Sequence, residues 1–183
     1  MKITELIEIV NKNIDSLEFS SLIAAHIESP DYMPYNDHSQ IREFISNNIQ
    51  LKNNEEIIRN SYSILQDNPI DIESHILIAM AAKRLNKISL HNAHNFIASN
   101  LIDQILKSGD GRDFSTAYNI FYPQDQIAMF SFFKKYPIDR INQEKNERYY
   151  DIYVFQDNEK MYFDVTVLFK YIINNADKLE EVK

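Results

Sequence analysis

Apolar residues recur every three or four positions through the first hundred residues and alternate more tightly near the end. The chain therefore reads as helices followed by strands. Ile3, Leu6, Ile7, Val10 and Ile14 place one apolar stripe on a first helix, with Thr4 as a candidate cap. Phe19 to Ile27 continues helically until Ser29-Pro30, where proline pushes the preceding residue out of helical backbone. Asp31 to Asp37, with Pro34 and two tyrosines, is a turn-rich link, and Ile41, Phe44, Ile45 and Ile49 mark another short helix. Residues 54–85 form a helical hairpin: Ile57, Ile58, Tyr62 and Leu65 line its first helix and Asp67-Asn68-Pro69 breaks it. Asp71 or a near neighbour is expected to cap the second helix, whose buried face is expected at Ile72, Ile76, Ala79 and Met80, with Ala81 and Ala82 allowing close approach. This hairpin looks like one tetratricopeptide unit, but no 34-residue sequence period repeats it. A further helix spans about Leu90 to Lys107.

Beyond Gly111 the texture changes. Thr116 to Tyr122 is aromatic and β-prone and ends at Pro123; Asp125 to Tyr136 reads as a helix. Arg148–Phe155 and Lys160–Thr166 alternate as strands, closed into a hairpin by Gln156 to Glu159, and Leu168 to Ala176 returns as a helix. The expected fold class is α+β, with a helical layer at 1–107 and a small antiparallel sheet with flanking helices at 108–183, sharing one core as a single compact unit.

Composition narrows the chemistry. With 44% apolar residues and 22 Phe and Tyr (11 of each), 183 residues bury a sizeable core. No cysteine occurs, which removes disulfides and thiolate chemistry and fits a reducing compartment. The beginning, Met1-Lys2-Ile3-Thr4-Glu5, places an acid where a signal peptide has its apolar run, and no apolar stretch is long enough for a bilayer. A soluble cytoplasmic protein is expected, with no membrane partner. The net charge of −8 divides into −5 over residues 1–107 (9 basic, 14 acidic) and −3 over 108–183 (10 basic, 13 acidic). Neither half offers a basic stripe, so nucleic acid is not an expected partner, whereas an acidic surface suits a basic protein.

The only two glycines stand together in Ser108-Gly109-Asp110-Gly111. No lysine or third glycine follows to make a phosphate loop, and an EF-hand's later acidic ligands are missing. Two readings remain: a helix-to-strand turn with glycine at the helix end, which is preferred, or a loop presenting Asp110, Arg112 and Asp113 to a partner. His91 and His94 lie three apart on one helix and His75 sits on the helix before it, so a site of His75, His94 and Asp110 is conceivable. Structural, hydrogen-bonded histidines are the preferred reading, and no metal or cofactor is expected. Asp151 and Asp164 lie on the paired strands. Alternation puts Tyr150, Ile152 and Val154 on one face and Tyr149, Asp151 and Tyr153 on the other, where Asp151 is exposed or hydrogen-bonded. An exposed tyrosine-rich face suits protein recognition.

Taken in order, Ser29-Pro-Asp-Tyr-Met-Pro-Tyr35, His75, His94, Gly109-Asp110-Gly111, Thr116-Ala-Tyr118, Tyr150-Asp151 and Tyr162-Phe-Asp164 resemble the bacterial family domain of unknown function 4919 over roughly residues 19–168. The resemblance implies a fold and these motif positions and no particular activity. The family pattern carries an acidic pair after the Ala-Tyr strand, where this chain has Gln124-Asp125-Gln126; it also has glycine near Asn100 and serine near Gln104.

Acidic charge, missing catalytic motifs and tyrosine-rich strands together lead to one expectation. The chain is read as a non-enzymatic interaction protein, an immunity protein that occludes a basic bacterial toxin domain through Asp110, Arg112, Asp113, Tyr149, Asp151 and Tyr153. The alternatives are a metal-assisted hydrolase using His75, His94 and Asp110, and a tetratricopeptide-like adaptor.

Overall fold

In the computed structural model, residues 2–12 and 18–176 are described; Ile14 of the first stripe lies outside them. Six helices come first: α1 (Ile3–Lys12), α2 (Phe19–Ile27), α3 (Ser39–Leu51), α4 (Asn54–Asp67), α5 (Ile72–Arg84) and α6 (Ile88–Ser108). Then follow β1 (Tyr118–Asn119), α7 (Pro123–Phe133), β2 (Asp139–Lys145), β3 (Arg148–Val154), β4 (Lys160–Asp164) and α8 (Thr166–Asn174). The class is α+β. The chain divides into two units, Met1–Gln104 and Ile105–Lys183, with the boundary inside α6. No described helix is long and apolar enough to cross a membrane.

In the first unit, the three-four periodicity buries Ile3, Leu6 and Val10 of α1. Ile45, Ile57, Ile64 and Ala81 join α3, α4 and α5 in one apolar cluster, with Ile41, Ile58 and Leu77 at its margin. The expected stripe of α3 is corrected: Phe44 and Ile49 are exposed and only Ile45 of that set is buried, because the helix keeps Asn48 inside instead. The buried face of α5 is also rotated. Met80 is exposed and Ile76 half-buried, while His75 and Ile78 are fully enclosed, because His75 finds polar partners inside and takes the central place of the stripe. Asp71 caps α5 as its sequence position predicts, accepting the Ser74 N–H at 2.8 Å. Arg42 of α3 clamps the same end, donating to Asp71 at 2.6 Å and Glu73 at 2.5 Å. From Ser39 to Ile72 is 33 residues and from Asn54 to Ile88 is 34. The spacing of helix starts is therefore tetratricopeptide-like over two helix pairs, although the apolar residues do not repeat at that offset.

The second unit carries a four-stranded sheet in the order β1-β4-β3-β2. The expected hairpin β3–β4 is present, with Tyr150 opposite Asp164 and Tyr153 opposite Met161, and it is closed by Asn158 at φ 62°. Two points correct the sequence reading. The sheet is mixed, because β1 is reduced to two residues and runs parallel to β4, Tyr118 beside Phe163. A strand also lies where none was expected: β2 pairs antiparallel with β3 along its whole length through the two-residue turn Asn146-Glu147, both at positive φ. Pro123 begins α7 rather than only ending the segment before it, a position where its missing N–H costs nothing. Asp125 holds that start by accepting from the N–H groups of Phe121 and Tyr122, each at 2.9 Å. One face of the sheet packs Tyr150 and Ile152 with Phe114, Ala117 and Tyr162. On the other, Tyr153 and Phe163 pack on Phe130 of α7, and Tyr149 stacks on Phe169 of α8 at 3.9 Å.

Candidate functional site

The glycine motif follows the last turn of α6 directly. Gly111 has φ +68°, and a Cβ there would collide with the Tyr118 ring. Gly109 does not adopt the left-handed shape expected of a cap; a Cβ on it would collide with the Thr116 carbonyl. Elsewhere the chain places Lys52, Asn86 and Lys134 at left-handed positions just past helices, at a cost of roughly 1 kcal/mol each. Glycine is kept where a Cβ has no space, at Gly111 together with a left-handed backbone. The turn is closed by the Gly111 N–H donating to Thr116 at 2.7 Å, and the Gly111 carbonyl accepts from Tyr162 of β4 at 2.9 Å.

This turn presents Asp110, Arg112 and Asp113, all exposed. Asp110 accepts from the Thr116 hydroxyl at 2.5 Å and the Arg112 N–H at 3.1 Å, and its pKa lies below the usual carboxylate value chiefly for the first reason. Asp113 accepts from the hydroxyl and N–H of Ser115, both at 2.6 Å, which lower its pKa likewise. Both carboxylates are thus charged and held in one orientation. Asp110 and Arg112 border a groove of about 730 Å³ that also includes Tyr118, Phe133 and Tyr162.

The tyrosine face of β3 is not the exposed surface the alternation suggested. Asp151 is buried, and Tyr149 and Tyr153 are half-buried, because α7 and α8 pack over them. Asp151 accepts from Gln126 at 2.6 Å, from Arg140 at 2.7 Å and from Asn142. The Tyr153 hydroxyl donates to the Gln126 carbonyl oxygen at 2.8 Å. Asp151 is therefore hydrogen-bonded, as one of its two sequence readings has it, and its carboxylate is occupied. Tyr150 is buried against Phe114 on the opposite face, and Asp164 is paired with Arg148. Gln126, Arg140 and Asn142 carry no motif of their own; only the register of β2 on β3 brings the latter two to Asp151.

In the helical unit, His75 and His94 meet inside the fold, Nδ1 to Nδ1, at 2.9 Å. His75 Nε2 lies 3.0 Å from the Pro69 carbonyl and His94 Nε2 lies 2.8 Å from the Tyr62 hydroxyl. A carbonyl only accepts, so His75 carries its proton on Nε2 and its Nδ1 accepts from His94. His94 Nε2 is then an acceptor, and Tyr62 donates to it. Burial lowers the pKa of His75 to about 4 and that of His94 to about 3, the second assisted by its neighbour, so both rings are neutral. Every ring nitrogen of the pair has a partner. His91, three residues before His94, instead uses Nδ1 on the Ala79 carbonyl at 3.0 Å. Among the described residues, no three His, Asp or Glu side chains are grouped so as to hold a metal ion. Tyr62 and Pro69 had no signal in the sequence, since neither belongs to a chemical motif.

The fold and these sites define an α+β protein with a histidine-locked helical unit and a mixed sheet that opens on an acidic glycine turn. The chain belongs to the family described as domain of unknown function (DUF4919), whose model matches residues 6–173, further at both ends than the motifs alone reach. No curated protein and no solved structure matches it at a significant level.

Proposed function

We propose that this chain is a protein-interaction module, an immunity protein that binds a bacterial toxin domain and occludes its basic or substrate-binding cleft. The observation that carries this reading is the glycine turn. Two charged carboxylates, Asp110 and Asp113, stand exposed with their orientations fixed before any partner arrives, and Asp110 borders a groove that includes Tyr118, Phe133 and Tyr162. Preorganised groups lose little freedom on binding, and a surplus of eight negative charges steers a basic partner in. Tyr149, Asp151 and Tyr153 leave the contact set, since they are occupied within the fold. The hydrolase reading is weaker, because His75 and His94 each use both nitrogens on internal partners and Asp110 is held by its own loop. The adaptor reading has two helix pairs, fewer than a solenoid groove needs.

Co-expression with the product of the adjacent gene tests the proposal. Protection from toxicity and co-purification are expected, and the double variant Asp110→Lys/Asp113→Lys should weaken both while remaining folded. A chain that neither protects nor co-purifies removes the immunity reading.

A further inference from the structure

Every residue of β2, Asp139 to Lys145, is exposed, and the strand forms one edge of the sheet. We propose that β2 pairs antiparallel with β2 of a second copy of this chain, about a two-fold axis through Asn142, to make one continuous eight-stranded sheet.

The backbone sets the register. Val165 donates to the Tyr149 carbonyl at 2.8 Å, and Tyr150 stands opposite Asp164. In β3, Tyr149, Asp151 and Tyr153 therefore direct their backbone groups toward β4, and Tyr150, Ile152 and Val154 direct theirs toward β2. Those three stand opposite Gln143, Ile141 and Asp139. The backbone groups of the alternate residues Arg140, Asn142 and Glu144 consequently turn outward, away from β3. The Asp139 carboxylate covers the Arg140 N–H at 2.8 Å, and pairing would exchange that contact for a ladder bond. An axis through a residue sets outward groups against outward groups. An axis between two residues sets outward against inward, which forms no ladder.

Charge then selects one axis. Centred on Asn142, Asp139 meets Lys145 of the second copy, Arg140 meets Glu144, Ile141 meets Gln143, and Asn142 meets itself. By symmetry each ion pair occurs twice, and the four charges of the strand sum to zero despite the net −8 of the chain. Centred on Ile141, Lys145 would face Pro137; centred on Gln143, Ile141 would face Lys145. Charges on an edge commonly repel other strands. Here their order is self-complementary instead. The half-exposed Ile141 also becomes the diagonal neighbour of its own copy, within reach of apolar contact. The sheet's other edge, β1, has only two residues and offers no such ladder.

The test uses the whole chain, by sedimentation and backbone amide exchange from roughly 10 µM to 1 mM, since pairing follows mass action. The 21.6 kDa mass should double with concentration. The amides of Asn142 and Glu144 should gain protection, while those of Ile141 and Gln143, already in the ladder with β3, change little. Asp139→Lys alone and Lys145→Glu alone each place like charges in two pairs and should raise the dissociation constant roughly ten-fold. An equimolar mixture of those two variants restores both pairs and should dimerise as the native chain does. Glu144→Pro removes an outward N–H and should abolish pairing with its circular dichroism unchanged; if it misfolds, the charge variants decide. A monomer throughout the range overturns the proposal. So does a dimer indifferent to both charge changes, or association only with a different protein.

Discussion

Acidification from pH 7.5 to 5 perturbs the buried histidine pair, whose rings are held neutral by burial. In the unfolded chain each imidazole takes a proton near the ordinary 6.5, whereas in the fold His75 does so at about 4 and His94 at about 3. Between these values the unfolded state binds more protons, so stability is full above 6.5 and falls as the pH falls toward the folded values. At pH 5, some 1.5 units below the unfolded pKa, each ring contributes a loss of about 2 kcal/mol, about 4 kcal/mol for the pair. His26, buried and lowered to about 4, contributes to the same window. A typical domain has only about 5–15 kcal/mol to lose. Urea titrations at half-unit pH steps measure the slope directly. The triple variant Tyr62→Phe/His75→Leu/His94→Leu removes the chain of hydrogen bonds and leaves His26 as the one remaining histidine with a lowered pKa among the described residues, so the histidine part of the slope should fall to about a third. A native protein whose stability is flat from pH 7.5 to 5, or a triple variant with the native slope, refutes the assignment of two neutral buried rings.

Two further outcomes follow from the second unit. Gly111→Ala and Gly109→Ala should each lose more than about 2 kcal/mol in urea melts, the first through a left-handed backbone and the Tyr118 ring, the second through the Thr116 carbonyl. Native-like melting of either variant would mean the turn relaxes freely. Asp151→Asn keeps the shape but turns an amide toward donors from Gln126, Arg140 and Asn142, and should cost about 2–3 kcal/mol; a neutral result would show that the network is not held by the carboxylate.

The helices and the β3–β4 hairpin were legible because a buried face writes its period into the chain. The errors have physical causes. Periodicity places Phe44, Ile49 and Met80 inside, yet large apolar side chains are ordinary on surfaces. A count of apolar positions omits His75 because it is polar, and what makes it an interior residue is a ring nineteen positions away. Strand β2 was invisible because neither of its faces is buried, so no alternation marks it. The faces of β3 were sorted correctly, but α7 and α8 decide which face meets water. The glycines were the clearest signal, since a chain this sparing of them places them only where a side chain cannot stand.

The hydrogen-bond chain from Tyr62 through His94 and His75 to Pro69 has a sense as well as a geometry. It ends on a carbonyl, which can never give a proton back, so no link can reverse while both rings are neutral. Tyr62 has therefore committed its one hydroxyl proton inward, and only lone pairs remain on its outer side. Tyr62 also lines a hollow of about 470 Å³ together with Ile3, Ile7 and Gln66. Any further group that reaches the Tyr62 oxygen must donate to it, as an amine or an alcohol does and a carbonyl cannot.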